Sequence, residues 1–571
     1  MFNRSSNQLV PNMRVLLKVE KGSTLEQLAA QVRSVGGRAI QLFPPLYLIA
    51  EVPDLMKIDR GATFDPLDLT GLDPQARSAA SVFRRMTAPA AATAPAAPES
   101  WDAPGKTPPR FDQSTPLQGE APTRLMSGPV ALSTGTPTSR FLAGRVAVAI
   151  VVVYRDVGTG ATPNPEHLSD GERDTVTAEA GEAFAWLSGL EPRARVEFAI
   201  ERHDVQLAVA ADPAAADLEA LWRDPALAQL GYASGQSGYA ALARDVRDRN
   251  LAAWGYVLFV TRYPVWHFAY ASAERVVQHF DNDGWGVANL NRVIAHESCH
   301  LFGTLDEYTS SGCNCTDTSG ELAVSNGNCR GCATAFVDCV MEANTIAICD
   351  YTRGQLGWRE PLIGAQSSWV TALYADLLGR APDGGGYGYW IATLRGGDHG
   401  EVAYGFLRSS EYSTRVVRDA YRRFLDREGE PDGVAYWSAL YAAGVPEQAI
   451  MHGFLESAEY QANQPDAPTF VESLYGRLLG RASDPAGKDS WVALMASGAA
   501  RTTIVDGFLR SREYAERTAS NYYQTFLARG PDPEGLDAWS TLIANGTALQ
   551  EIIHGFCTSP EYIQRASTRG F

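Results

Sequence analysis

The sequence predicts a multidomain α+β chain, with a small βαββ unit first, an α/β layer in the middle and an all-α repeat array at the end. Three observations carry this. Apolar residues alternate and then recur at helical spacing between Val15 and Val52. A long apolar run, "RVAVAIVVVYR", opens at residue 145. The pattern GF-x-x-S-x-E-Y returns four times after residue 400.

The first element is a strand at Val15–Val19. Ser23 is the expected cap of a helix over Leu25–Val35, and Gly36-Gly37 breaks it. Apolar runs near Ala39–Phe43 and Leu46–Val52 complete a βαββ unit over residues 1–85. Residues 86–139 turn to Ala, Pro, Thr and Ser, as in "TAPAAATAPAAPES", with too little apolar surface to offset ordering entropy. That is a linker, and such a stretch is easily cut by proteases.

The middle segment, 140–362, opens with a strand of buried type at residues 145–155. A helix is expected over Asp174–Leu187, with strands at Arg195–Ile200 and Gly255–Thr261 and an edge strand within "YPVWHFAYAS" (263–272). A further helix starts near Val287, with Leu290, Val293 and Ile294 facing inward.

The four repeat motifs begin at Gly405, Gly453, Gly507 and Gly555, spaced 48, 54 and 48 residues apart. Tyrosines 374, 421, 475 and 523 and tryptophans 390, 437, 491 and 539 keep step. Asp532 as cap, Pro533 in the first turn and Gly546 as stop mark the units as helical. The recurring aromatics stand at helical spacing and read as core. Two pairs of repeats are expected, 363–466 and 467–571. "PDGGG" at 382–386 reads as a repeat turn, not a nucleotide loop.

Length and composition narrow the function. The 571 residues, 45% hydrophobic, can fill several cores, and 49 basic against 66 acidic residues leave a charge of −17. No basic tract interleaved with aromatics is present, which argues against nucleic acid as a partner. No apolar run is long enough to cross a membrane as a helix. The N-terminal "MFNRSSNQLVPNMRVLLKVEKG" lacks the apolar core of a secretory signal. Cysteine points outward nonetheless. Six of eight (Cys313, Cys315, Cys329, Cys332, Cys339 and Cys349) crowd into one short segment, as in a disulfide framework of an exported protein. A second zinc site built on "CNC" and "CRGC" is the rival reading. Cys299 and Cys557 stand apart as buried thiols.

The chemistry concentrates in "IAHESCHLFGTLDEY", residues 294–308. Residues four apart share a helix face, so His296 and His300 can address one ion, while Glu297 lies about 100° round the helix and can hold a water. Gly303 lets the chain turn back and bring Asp306 toward the same point. "DNDGWG" at 281–286 offers a weaker Ca2+ reading against a plain polar turn before the helix.

This stretch resembles the metzincin zinc peptidases, in the HExxHxxGxxD variant in which aspartate replaces the usual third histidine. Small secreted neutral proteases of soil bacteria have that form, and bacterial immunoglobulin-A-type peptidases carry a similar "DEY" ending. The resemblance implies Zn2+ held by His296, His300 and Asp306, Glu297 as general base, and Met341 in a methionine turn that Cys339 and Cys349 flank. Glu307 is the alternative ligand if the register shifts by one. Where some metzincins place a tyrosine two residues after the methionine, this chain has Ala343, leaving Tyr351 and Tyr308 as candidates. The N-terminal unit resembles compact propeptide domains of secreted peptidases, and with its cleavable linker fits a zymogen; an ordinary small domain and spacer fit as well. The C-terminal units resemble a helical repeat of exported and surface-layer bacterial proteins, known only as a domain of unknown function and related to the phycobilisome-linker fold.

The expected chain is therefore a secreted or cell-surface zinc endopeptidase. It comprises a propeptide-like βαββ domain, a metzincin-like α/β catalytic domain, and repeats for attachment to a surface or matrix ligand. Its substrate is a protein or peptide laid along the edge strand. The alternatives are a surface-binding or adhesion protein with an inactive protease-like domain, and an intracellular regulator.

Overall fold

The computed structural model describes residues 13–64, 69, 71–88, 98–111, 140–160, 163–394 and 398–569. Two compact units emerge. Among the described residues, one comprises those from 13 to 367 together with 381–392, and the other 368–380, 393–394 and 398–569.

The first unit is built on one ten-stranded sheet. Its strands and helices are β1 (Met13–Val19), α1 (Leu25–Ser34), β2 (Arg38–Phe43), β3 (Tyr47–Val52), β4 (Gly61–Thr63), α2 (Pro74–Thr87), β5 (Glu99–Ser100), β6 (Arg110–Phe111), β7 (Arg145–Arg155) and α3 (Asp170–Leu190). There follow β8 (Glu197–Leu207), α4 (Ala220–Gln229), α5 (Gly235–Arg249), β9 (Trp254–Thr261), β10 (Ala269–Ser272), β11 (Arg275–His279) and α6 (Leu290–His300). The order across the sheet is β4-β1-β3-β2-β8-β7-β9-β11-β10-β6, with a parallel centre from β2 to β11.

Strand β7 is buried from Arg145 through Tyr154 because helices cover both faces. Ala147, Ala149, Val151 and Val153 share a core with Leu28 of α1, Trp222 of α4 and Leu242 of α5. On the opposite face Phe184 of α3 stacks on Phe198 of β8, and Tyr256 of β9 bonds Ser298 of α6 at 2.8 Å. Helix α3 starts four residues before its expected start at Asp174, because Ser169 and Glu172 close a capping box. Thr24, not Ser23, caps α1 by the same device with Gln27.

The expected boundary between an N-terminal domain and the α/β layer is not observed. Strand β2 pairs in parallel with β8, Gln41 opposite Phe198 and Leu42 opposite Ala199, so the βαββ unit extends the central sheet. Buried Arg145 on β7 bonds Glu197 of β8 at 2.7 Å and Glu26 of α1 at 2.8 Å, and Val82 of α2 fills the space above Gly181 of α3. Within the expected linker, α2 runs on to Thr87 and residues 98–111 are packed, whereas 89–97 and 112–139 lie outside the described residues. The expected edge strand is shortened to β10, and β6 covers it on its outer side, Tyr270 opposite Arg110.

In the second unit each repeat uses its motif residues as one packing set. Tyr374–Phe406, Tyr421–Phe454, Tyr475–Phe508 and Tyr523–Phe556 meet edge to face at 4.9, 4.8, 5.0 and 5.1 Å. Arg380, Arg427, Arg481 and Arg529 lie over those tyrosines and pair with Glu411, Glu459, Glu513 and Glu561 of the next motif. The recurring tyrosines are core, as the helical spacing predicts, and so is Trp390, whereas Trp437, Trp491 and Trp539 are half-buried. Tyr562 donates to Asp376 at 2.9 Å and Arg569 pairs with it at 2.7 Å, so the last repeat also contacts the first. No helix among the described residues is long and apolar enough to cross a membrane.

Candidate metal centre

Helix α6 supplies the first ligand pair. It is buried from Val293 to His300, and its N-terminus has no cap of its own; Glu179 of α3 accepts the Asn291 amide at 3.2 Å instead. The two imidazoles point the same way. Nδ1 of His296 bonds the Val340 carbonyl at 2.9 Å and Nδ1 of His300 bonds the Thr304 carbonyl at 2.9 Å. A carbonyl only accepts, so each Nδ1 carries the proton and each Nε2 presents a lone pair.

The third group arrives through the turn. Gly303 has φ of +93°, a conformation that favours glycine, and the chain doubles back. Asn326 donates to the Asp306 carbonyl at 2.8 Å and Gln355 accepts the Leu305 amide at 3.0 Å, which fixes the loop. Oδ1 of Asp306 then lies 3.1 Å from Nε2 of His296 and 3.1 Å from Nε2 of His300, and the two Nε2 atoms are themselves 3.1 Å apart.

Three acceptors in a 3.1 Å triangle repel one another unless a cation stands between them. Two donors held at about 2.0–2.1 Å from a tetrahedral zinc lie roughly 3.3 Å apart, so this donor set fits such an ion. With no ion between them, a proton on either Nε2 takes its place: burial opposes ionisation of Asp306, but imidazolium charge and donation from His300 and His296 hold the carboxyl below the usual range. Burial lowers His296. Glu297 is fully buried beside them.

Glu307 does not join this group. Its carboxylate accepts from Asn328 at 2.6 Å, Thr352 at 2.8 Å and the Cys349 thiol at 3.0 Å, forming a second buried cluster with Cys339. Burial raises its carboxyl well above the usual range. Met341 is buried in the loop that provides Val340; its sulfur accepts the Thr304 hydroxyl at 3.6 Å and its carbonyl the Glu307 amide at 2.9 Å. Tyr308 lies against His296 with ring centroids 6.3 Å apart, whereas Tyr351 is 38% exposed and packs on Gly327.

The cysteine cluster divides. Cys313–Cys329 and Cys315–Cys332 are paired as disulfides, the first of the two readings, although Cys315, Cys329 and Cys332 also lie close enough together to share an ion. Cys339 and Cys349 are free, adjacent and engaged with Thr352 and Glu307, contrary to a fully oxidised framework. In the "DNDGWG" turn Asp281 pairs with Arg262 after β9 at 3.1 Å and Asn282 donates to the Gly286 carbonyl at 2.9 Å.

Sequence reasoning missed the carbonyl anchors at Val340 and Thr304, which have no side-chain signature. It also missed Trp101, which is fully buried with its ring centroid 5.4 Å from that of His296. A lone tryptophan within an Ala/Pro-rich stretch was the available signal.

Comparisons with known proteins bear on the C-terminal part. Residues 364–416, 413–464, 460–518 and 519–566 each match the family model of a domain of unknown function, DUF4214. No curated protein and no solved structure matches the chain.

Proposed function

We propose that this chain is an exported zinc-dependent endopeptidase, its C-terminal repeats serving attachment or targeting. One observation carries the reading: two imidazoles with protonated Nδ1 atoms and one carboxylate converge on a single point from a helix and the turn behind it. The metzincin resemblance of "HESCHLFGTLD" agrees with that donor set, and the two disulfides favour an oxidising location.

His296, His300 and Asp306 would hold the ion. When bound, zinc supplies Lewis-acid polarisation of a carbonyl and lowers the pKa of water. Glu297, one residue after the first ligand, takes the proton from the attacking water and passes it to the departing amine. The Val340 and Thr304 carbonyls keep both imidazoles in the ligating tautomer. The substrate backbone runs extended along β10 in the place that β6 takes here, where main-chain pairing adds affinity without sequence demand.

Full burial of both histidines and Glu297 favours a second reading, a surface-binding protein whose protease-like site is silent. Zinc content with casein cleavage, with and without a chelator, separates the two. Glu297→Gln should retain zinc and lose roughly 10²–10⁴-fold in rate. Equal cleavage by that variant ends the general-base assignment.

A further inference from the structure

We propose that residues 98–111 act as a strap seated in the polypeptide-binding cleft, and that the pocket holding Trp101 is the subsite that selects an aromatic side chain, tryptophan first. The proposal rests on the peptidase reading for what the cleft does, and on the strap itself for what the cleft accepts.

The strap is gripped at both ends by backbone. Glu99–Ser100 pairs antiparallel with Ala343–Asn344, just after Met341, and Arg110–Phe111 pairs with Tyr270–Ala271 on the sheet edge. Between these ends it crosses the face of α6. Trp101 donates its amide to the Glu342 carbonyl at 3.1 Å and its Nε1 to the Val340 carbonyl at 2.8 Å. That same Val340 carbonyl orients His296. The indole is packed among Phe268, Trp285, Val293 and Tyr308, its ring centroid 4.8 Å from that of Trp285.

Most of the remaining contacts are polar, with Ala103 in the same apolar cluster and Lys106 over the Trp285 ring at 4.2 Å. Asp102 accepts the Ser310 amide at 3.1 Å as well as its hydroxyl. Trp285 donates to the Thr107 carbonyl at 2.8 Å, and the Tyr308 hydroxyl donates to the Pro109 carbonyl. Only two residues pair at each end, and Trp101 is the sole large apolar anchor between them. A segment held in this way has the form of a bound peptide: main-chain pairing plus one deep side chain. Phenylalanine fills the same walls but cannot donate to Val340, so an indole is preferred.

The test uses the full chain and a fluorescein-labelled synthetic peptide, PESWDAPGKTPPRF, beside the same peptide with alanine for tryptophan. In a Glu297→Gln background, the Trp101→Ala chain should bind the tryptophan peptide at least tenfold more tightly than the alanine peptide, while the chain with its own Trp101 binds neither. Asp102→Ala, which loosens the strap without opening a cavity, should give intermediate binding and covers the case in which Trp101→Ala misfolds. With native Glu297 and zinc, Asp102→Ala should raise cleavage of tryptophan-containing peptides at least tenfold over the parent chain. Equal binding of the two peptides, or none to either strap variant, overturns the proposal whatever the activity. Selective binding with no hydrolysis by any zinc-loaded chain keeps the subsite and defeats the peptidase reading instead.

Discussion

Replacing Asp306 by alanine removes one corner of the 3.1 Å triangle and leaves two imidazoles whose Nδ1 protons remain fixed by Val340 and Thr304. Two neutral nitrogen donors alone bind zinc far less well than the triad, which also brings a charge; losing even an outer partner of a ligand costs 10–100-fold. Zinc at a thousandfold excess over its Kd stabilises the native state by about 4 kcal/mol, and at a hundredfold excess by about 2.7 kcal/mol. The parent chain should therefore show a zinc-dependent rise in the unfolding temperature of its first unit, reversed by chelator. Asp306→Ala should show almost none, and should lose its zinc on dialysis. Differential scanning calorimetry with elemental analysis reads both. Glu307→Ala is the control for a shifted register. The geometry is refuted if Asp306→Ala keeps one zinc per chain, or if only Glu307→Ala loses it.

Glu197 is 5% exposed at the side chain and pairs with Arg145 at 2.7 Å and Arg33 at 3.2 Å, so Glu197→Gln leaves buried guanidinium charge undercompensated. It should cost about 3–5 kcal/mol of first-unit stability in urea denaturation. A Cβ on Gly507 would come within 2.6 Å of the Trp491 ring, so Gly507→Ala should lower the stability of the repeat unit by about 1–3 kcal/mol, read by denaturant unfolding, and leave zinc binding untouched. Non-reducing peptide mapping should find Cys313–Cys329 and Cys315–Cys332 bridged, with Cys299, Cys339, Cys349 and Cys557 alkylated only after unfolding.

The site was readable where local spacing carries it. His296 and His300 share a face because a helix repeats every 3.6 residues, and Gly303 marks the reversal that returns Asp306. The preference for Asp306 over Glu307 rested on the motif resemblance; the groups that hold the two carboxylates apart, Asn326, Gln355, Asn328 and Thr352, come from later in the chain and were not readable. The repeats were legible through their period, and the same residues proved to be one aromatic and arginine packing set. The N-terminal unit misled for a physical reason. Its local pattern is a complete βαββ, and nothing local reports that Gln41 and Leu42 bond across to Phe198 and Ala199. Burial of every residue from Ala39 to Phe43 is the consequence, since an interior strand is covered on both faces.

That union bears on how a covered site could open. Shedding residues 13–52 would strip β8 of its neighbour, leaving its backbone edge unpaired, and would take Glu26 from buried Arg145. The core shared by Leu28, Leu42 and Ala147 would lose about a third of its buried residues. Such a loss damages the sheet that positions α6, so an inhibitory domain that leaves intact catalytic machinery behind is a poor description of this N-terminus. Displacing residues 98–111 breaks the two-residue pairings at each end, the indole pocket and the bonds to Ser310, Trp285 and Tyr308, but leaves the strands from β2 to β11 paired. The economical route to an accessible metal centre is therefore local, and it runs through Trp101 and Asp102 rather than through removal of the first three strands.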